Sequence, residues 1–217
     1  MRPFLSAFLL AWALAATIAF TSRPEPLACA ISLDNQNVLM VGFDNPATIV
    51  VRGVPEEKIR IRASPNLSLK KERGSRYTIR ASQPGEGTIT VEGGALQPQT
   101  FRYRVKRMPD PVLRLGAQYR SGTMGNGAFK AQGGLAAVIE NFDIDARCEI
   151  ISYKVTHLRN GQVLAAATNS GGRYSPEVRA IIDEACPGDT YLFGEVSARC
   201  PGDTEPRYLD GLVFSIK

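Results

Sequence analysis

The 217-residue sequence predicts a mostly β protein of two small sandwich domains, the second holding one short helix, and three observations carry that expectation. From residue 37 onward, short segments that alternate apolar and polar residues are separated by glycine, proline and asparagine turns. The net charge of +5 is divided unevenly: residues 31–107 hold 13 Lys or Arg against 7 Asp or Glu, and residues 108–217 hold 11 against 13. The change of sign falls at Arg107-Met108-Pro109-Asp110-Pro111. Its prolines cannot continue a sheet ladder, so the connection is short and stiff and sets a fixed angle between the domains.

Residues 1–28 read as a signal peptide or an N-terminal anchor. Arg2 supplies the charge, and residues 4–20 form an uncharged apolar run close to the ~18 residues that cross a bilayer. Ala28-Cys29-Ala30 offers a processing motif, and a cut near Ala19 is the alternative. Leu27-Ala28-Cys29 partly matches a lipoprotein signal, with Pro26 where an aliphatic residue is usual. On either reading the protein is exported to the periplasm or cell envelope and meets the membrane only through this segment.

The first domain, residues 29–107, reads as seven strands at 37–41, 47–52, 58–63, 67–71, 77–81, 87–91 and 100–106, a number and spacing that suggest a sandwich. Asp44-Asn45-Pro46, Gly53-Val54-Pro55 and Gln83-Pro84-Gly85-Glu86-Gly87 supply the breaks. The second domain, residues 108–217, contains Asn160-Gly161 between two strand-like runs, the signature of a type I′ hairpin. Ser175-Pro176-Glu177 opens a helix, with Val178, Ile181, Ile182 and Ala185 as its apolar face. Residues 191–199 and 208–216 read as a closing antiparallel pair. Cys-Pro-Gly-Asp-Thr occurs at Cys186 and again at Cys200 and reads as two similar turns.

In an exported chain the cysteines favour disulfides. Cys186 and Cys200 flank one extended segment of roughly 30 Å, far beyond the ~7 Å limit on Cα separation in a disulfide, so they do not pair with each other. Cys148 pairs with one of them, and the other stays free or joins Cys29. Cys148, Cys186, Cys200 and His157 have the composition of a zinc site but no C-x₂₋₄-C spacing, so no metal is expected. The sequence has no G-x-S-x-G elbow, H-E-x-x-H or phosphate loop, which argues against an enzyme and against a cofactor. His157, the only histidine, lies in a strand beside the hairpin, where a structural role is expected. The glycines at 122, 125, 127, 133 and 134 read as loop or strand-edge geometry. Glu140, Asn141, Asp143 and Asp145 could gather oxygens for calcium, yet the alternation with Phe142 and Ile144 suits a solvated strand end.

Arg102, Arg104 and Lys106 share one face of their strand, as do Arg60 and Arg62 on theirs. If the strands adjoin, they form a cationic patch for an anionic glycan, lipid headgroup or acidic protein; otherwise the charges solubilise and guard the sandwich. Nucleic acid is not an expected partner, because no nucleic-acid-binding motif is present.

Residues 37–46 (NVLMVGFDNP), Gly53-Val54-Pro55, residues 77–81 (YTIRA), residues 104–111 (RVKRMPDP), Gly133-Gly134-Leu135, residues 140–145 (ENFDID), Arg173-Tyr174-Ser175 and residues 212–217 (LVFSIK) together resemble, in order, the C-terminal periplasmic part of the gliding-motility protein GldM. The resemblance runs from residue 37 to residue 217 and implies two immunoglobulin-like β domains without catalytic residues. It also implies a tendency to dimerise and contacts with envelope proteins of the gliding and type IX secretion apparatus. Family members carry a long membrane-spanning region ahead of these domains, so the expectation is a stand-alone relative, a non-catalytic envelope protein. The alternative is a glycan-binding or adhesive module that uses Arg60, Arg62, Arg102, Arg104 and Lys106.

Overall fold

The computed structural model describes residues 28–34, 37–142 and 146–217. Residues 1–27 of the leader or anchor expected at 1–28, and Asp143 and Asp145 of the calcium alternative, lie outside the described residues. Among the described residues no helix is long and apolar enough to cross a membrane.

The first half is a sandwich of two four-stranded sheets. One sheet orders β1 (Ala28–Leu33), β3 (Asp44–Arg52), β6 (Arg76–Ala81) and β5 (Leu67–Lys71). The other orders β2 (Val38–Met40), β8 (Leu96–Lys106), β7 (Gly85–Gly93) and β4 (Arg60–Ala63). Alternation puts Ile49, Ile79, Ile89, Val91, Tyr103 and Val105 inside, each buried between more exposed neighbours, and Leu39 joins them from β2. β1 has no counterpart among the seven expected strands. It lies on the processing motif, so its alternation of Cys29, Ile31 and Leu33, packed against the core, with the exposed Ala28, Ala30 and Ser32 is masked in the sequence by the export signal. Its residues Ala28–Leu33 all pair with β3.

The second half packs a six-stranded sheet against a layer of two helices and a two-stranded sheet. The large sheet orders β10 (Gly122–Met124), β16 (Leu212–Ile216), β14 (Thr190–Arg199), β12 (Glu149–Arg159) and β13 (Gln162–Ser170), with β15 (Arg207–Leu209) also on β14. β9 (Val112–Leu115) pairs with β11 (Leu135–Val138). Asn160 and Gly161, at φ 52° and 77°, turn the β12–β13 hairpin as their sequence predicts. Helix α2 (Pro176–Asp183) starts where expected: the Val178 N–H donates to Ser175 Oγ at 3.2 Å, and Val178, Ile181 and Ile182 are buried. A one-turn helix, α1 (Asn126–Lys130), adds to this inside the glycine-rich stretch. It has no amphipathic period to announce it and is held by Phe129, which is fully buried against Tyr191 and Phe214.

Candidate functional site: the interdomain joint and the exposed sheet surfaces

The two Cys-Pro-Gly-Asp turns fold alike. In each, the aspartate side chain accepts the cysteine backbone N–H, Cys186 to Asp189 and Cys200 to Asp203, both at 2.9 Å. Each aspartate N–H donates back to the cysteine carbonyl at 3.1 Å. Both carboxylates are 1 % exposed, and each is met by an arginine fork. Arg159, from the end of β12, donates to Asp189 at 2.7 and 2.9 Å. Arg207, from β15, donates to Asp203 at 2.7 and 2.8 Å.

The Asp189 turn serves its own domain. His157, fully buried and stacked on Tyr191 with ring centroids 4.5 Å apart, shares a 2.9 Å hydrogen bond between Nε2 and Asp189. The Arg159 guanidinium, together with Cys186 N–H and His157, holds the Asp189 carboxyl well below the usual carboxylate range despite its burial.

The Asp203 turn lies at the domain boundary. Arg207 also donates to the carbonyls of Met108 and Pro109 at 3.0 and 2.9 Å and to Asp110 at 2.8 Å, so one buried guanidinium grips the whole Met108-Pro109-Asp110 connection. Arg107 reaches Asp203 from the other side at 3.1 Å. Burial pushes the Asp203 carboxyl up, but Arg207, Cys200 N–H and Arg107 together hold it below its ordinary value. Gly42 and Gly202, at φ +83° and +80°, meet back to back; a Cβ on Gly42 would stand 2.3 Å from the Gly202 nitrogen. Phe43 packs against Phe142 at 6.5 Å between centroids. A groove of about 580 Å³ runs beside this joint, lined by Val41, Ser82, Pro84, Arg107, Thr204 and Glu205 among others.

Both aspartates titrate below their unfolded value of ~3.9, so their contribution is full above that pH and is lost as pH falls through the folded values. Stability is therefore expected to be level near neutrality and to decline below about pH 4. Asp189→Asn should be less stable at pH 7 and show a shallower acid limb in urea titrations. An equally steep limb in that variant would remove Asp189 as a source of the decline.

Cys148, just before β12, bonds to Cys200, just after β14, and so extends the Glu149–Arg199 register of the two strands by one rung. Cys29 is half-buried and Cys186 exposed, both free, so the disulfide candidates resolve to Cys148–Cys200. With two of its sulfurs joined and His157 bound to Asp189, the Cys₃His zinc set is not available. Glu140 is taken up by Arg114 and Arg120, the latter at 2.9 Å.

The five basic residues of the expected patch all project from the outer face of one sheet, but β7 separates β8 from β4. β7 contributes acids of its own: Glu86 pairs with Arg102 at 3.0 Å and Glu92 with Arg62 at 2.8 Å. Among the described residues Arg60, Arg104 and Lys106 have no carboxylate partner. Arg104 and Lys106 lie at the joint end of β8, and the backbone of Arg60 stands opposite that of Glu92 at the other end of the sheet.

Residues 28–106 match the family described as the GldM third domain, and residues 108–217 match the GldM C-terminal domain. No curated protein matches the chain. Among solved structures, the chain is similar to the fibronectin(III)-like modules of Clostridium thermocellum CbhA at 14 % identity and TM-score 0.27, over 87 % of this chain and 94 % of that one. It is also similar to domains 6–7 of the surface layer protein SbsC, at 10 % identity and TM-score 0.34, over 87 % and 97 %. Tandem Ig repeats of Dlar align at 9 % identity and TM-score 0.29, again over 87 % and 97 %.

Proposed function

The chain belongs to the GldM family, and from that premise we propose that it is a non-catalytic, exported envelope protein that binds other envelope proteins of the gliding-motility and type IX secretion apparatus. The observation that carries the reading is the pair of family matches running through both domains. The absence of catalysis draws support from burial: His157 is fully enclosed and its Nε2 is bound to Asp189, while Asp189 and Asp203 are each held by an arginine fork, so none of the three faces solvent as a base. Export would proceed with the segment at residues 1–28 as leader or anchor. A cut near Ala19 would keep β1 whole, whereas a cut after Ala30 would remove half of it. The reading includes a homodimer as one form of assembly.

Tagged protein captured from crosslinked native envelopes, with bait and partners identified by mass spectrometry, tests this. Recovery with secretion-apparatus components is the expected result. Recovery of glycan alone would favour the second reading, a glycan-binding module, for which Arg60, Arg104 and Lys106, without a carboxylate partner among the described residues, are the supporting feature. That module would bind peptidoglycan or lipopolysaccharide less as salt rises, and Arg104→Glu with Lys106→Glu would weaken it further; salt-insensitive binding would dismiss it.

A further inference from the structure

We infer that the free edge of β13 is a docking site for an extended strand of a partner polypeptide. The inference rests on the interaction-module reading and names the surface. β13 closes the large sheet, and within that sheet it pairs with β12 alone. In an antiparallel edge strand every second residue turns its N–H and C=O away from the neighbour. Such a row of alternating donors and acceptors has one full complement, the backbone of another strand.

Edge strands ordinarily carry charges, prolines or short lengths that discourage pairing. Most described edges have them. β5 ends in Lys70 and Lys71, β4 carries Arg60 and Arg62, and β2 and β10 are three residues each. β1 is uncharged but shorter, and it exposes only Ala28, Ala30 and Ser32. β13 runs nine residues, Gln-Val-Leu-Ala-Ala-Ala-Thr-Asn-Ser, with neither charge nor proline. Val163 and Leu164 at its start are 61 % and 50 % exposed. Its one guard is a bulge at Leu164, which no β12 residue opposes; beyond it the register is regular from Ala165 to Ser170. That stretch seats a partner strand of about six residues, roughly 20 Å long. The side chains that would flank the incoming strand are those β13 itself exposes on the outer face, Ala166, Thr168 and Ser170, so uncharged side chains on that strand are favoured; Lys154, opposite Thr168 on β12, is taken up by Glu195.

The test uses the full exported chain and an end-blocked nine-residue peptide of alternating threonine and valine. Amide hydrogen exchange at the solvent-facing positions of Ala165–Ser170 is expected to slow by about tenfold when the peptide stands at ten times its Kd. The same peptide N-methylated at every second amide should give no protection. Ala166→Lys with Ser170→Lys, which oppose the uncharged Thr156 and Ser152, should abolish the effect while stability stays within about 0.5 kcal/mol, as for most surface substitutions. Protection confined to other edges, or none at millimolar peptide, overturns the inference. Protection that grows with protein concentration alone would make the occupant a second copy and equally overturn it. In the envelope capture, a partner retained by the double-lysine variant would leave the interaction reading standing and remove β13 as its site.

Discussion

Replacing Cys148 and Cys200 together by alanine should lower unfolding stability by about 4 kcal/mol, the chain-entropy value for the 52-residue separation they span. Guanidinium unfolding followed by circular dichroism measures it. The twin turn is the internal comparison: Cys186 is exposed and free, yet its turn and its Asp–Arg fork form all the same. The disulfide is therefore not needed to make such a turn; it fixes this one to the β12–β14 pair beside the domain boundary. Cys186→Ala should accordingly change stability by no more than about 0.5 kcal/mol. Equal losses in the two variants would contradict this division of roles, as would finding Cys186 in a native disulfide by alkylation mapping.

Arg207→Ala should cost about 3–5 kcal/mol, the range seen when one member of a buried ion pair is removed. Asp203 would be left buried with only the partly exposed Arg107, and the Met108 and Pro109 carbonyls would lose their donor. Arg207→Lys keeps the charge but not the fork, and cannot reach the aspartate and both carbonyls at once, so an intermediate loss is expected. Arg159→Ala should cost less, because Arg159 is 42 % exposed and water can replace part of what it gives Asp189. Parallel urea titrations of the three variants rank them. A loss at Arg159 larger than at Arg207 would show that the joint is not the more demanding of the two forks.

Much of the fold was legible because its signals are local. The strand alternation of the first domain, the Asn160-Gly161 turn and the Ser175-Pro176 helix entry each depend on residues within a few positions of one another. β1 and α1 were not legible. The first alternates, but its residues overlap the processing motif and it is a strand by virtue of β3, and the second is a helix by virtue of Phe129 in the distant core. The stiff connection at Met108-Pro109-Asp110-Pro111 was visible as prolines, but its clamp was not, since Arg207 is brought to it from 97 residues away. The repeated Cys-Pro-Gly-Asp was the available signal for the two buried aspartates. It could not disclose their arginines, one of which precedes its aspartate by 30 residues while the other follows by 4. The basic strands show the same limit: their faces follow from alternation, but the position of β7 between them, with Glu86 and Glu92, depends on strand order.

The Asp203–Arg207 joint, which Arg107 reaches from the first domain, is expected to hold the two domains at a fixed angle. Spin labels on cysteines introduced at Ser68 and Glu177, with Cys29 and Cys186 replaced by serine, report it most directly through the distance distribution between them. A single narrow distribution that broadens in Arg207→Ala is the predicted result. A broad distribution in the parent protein, unchanged by Arg207→Ala, would contradict it.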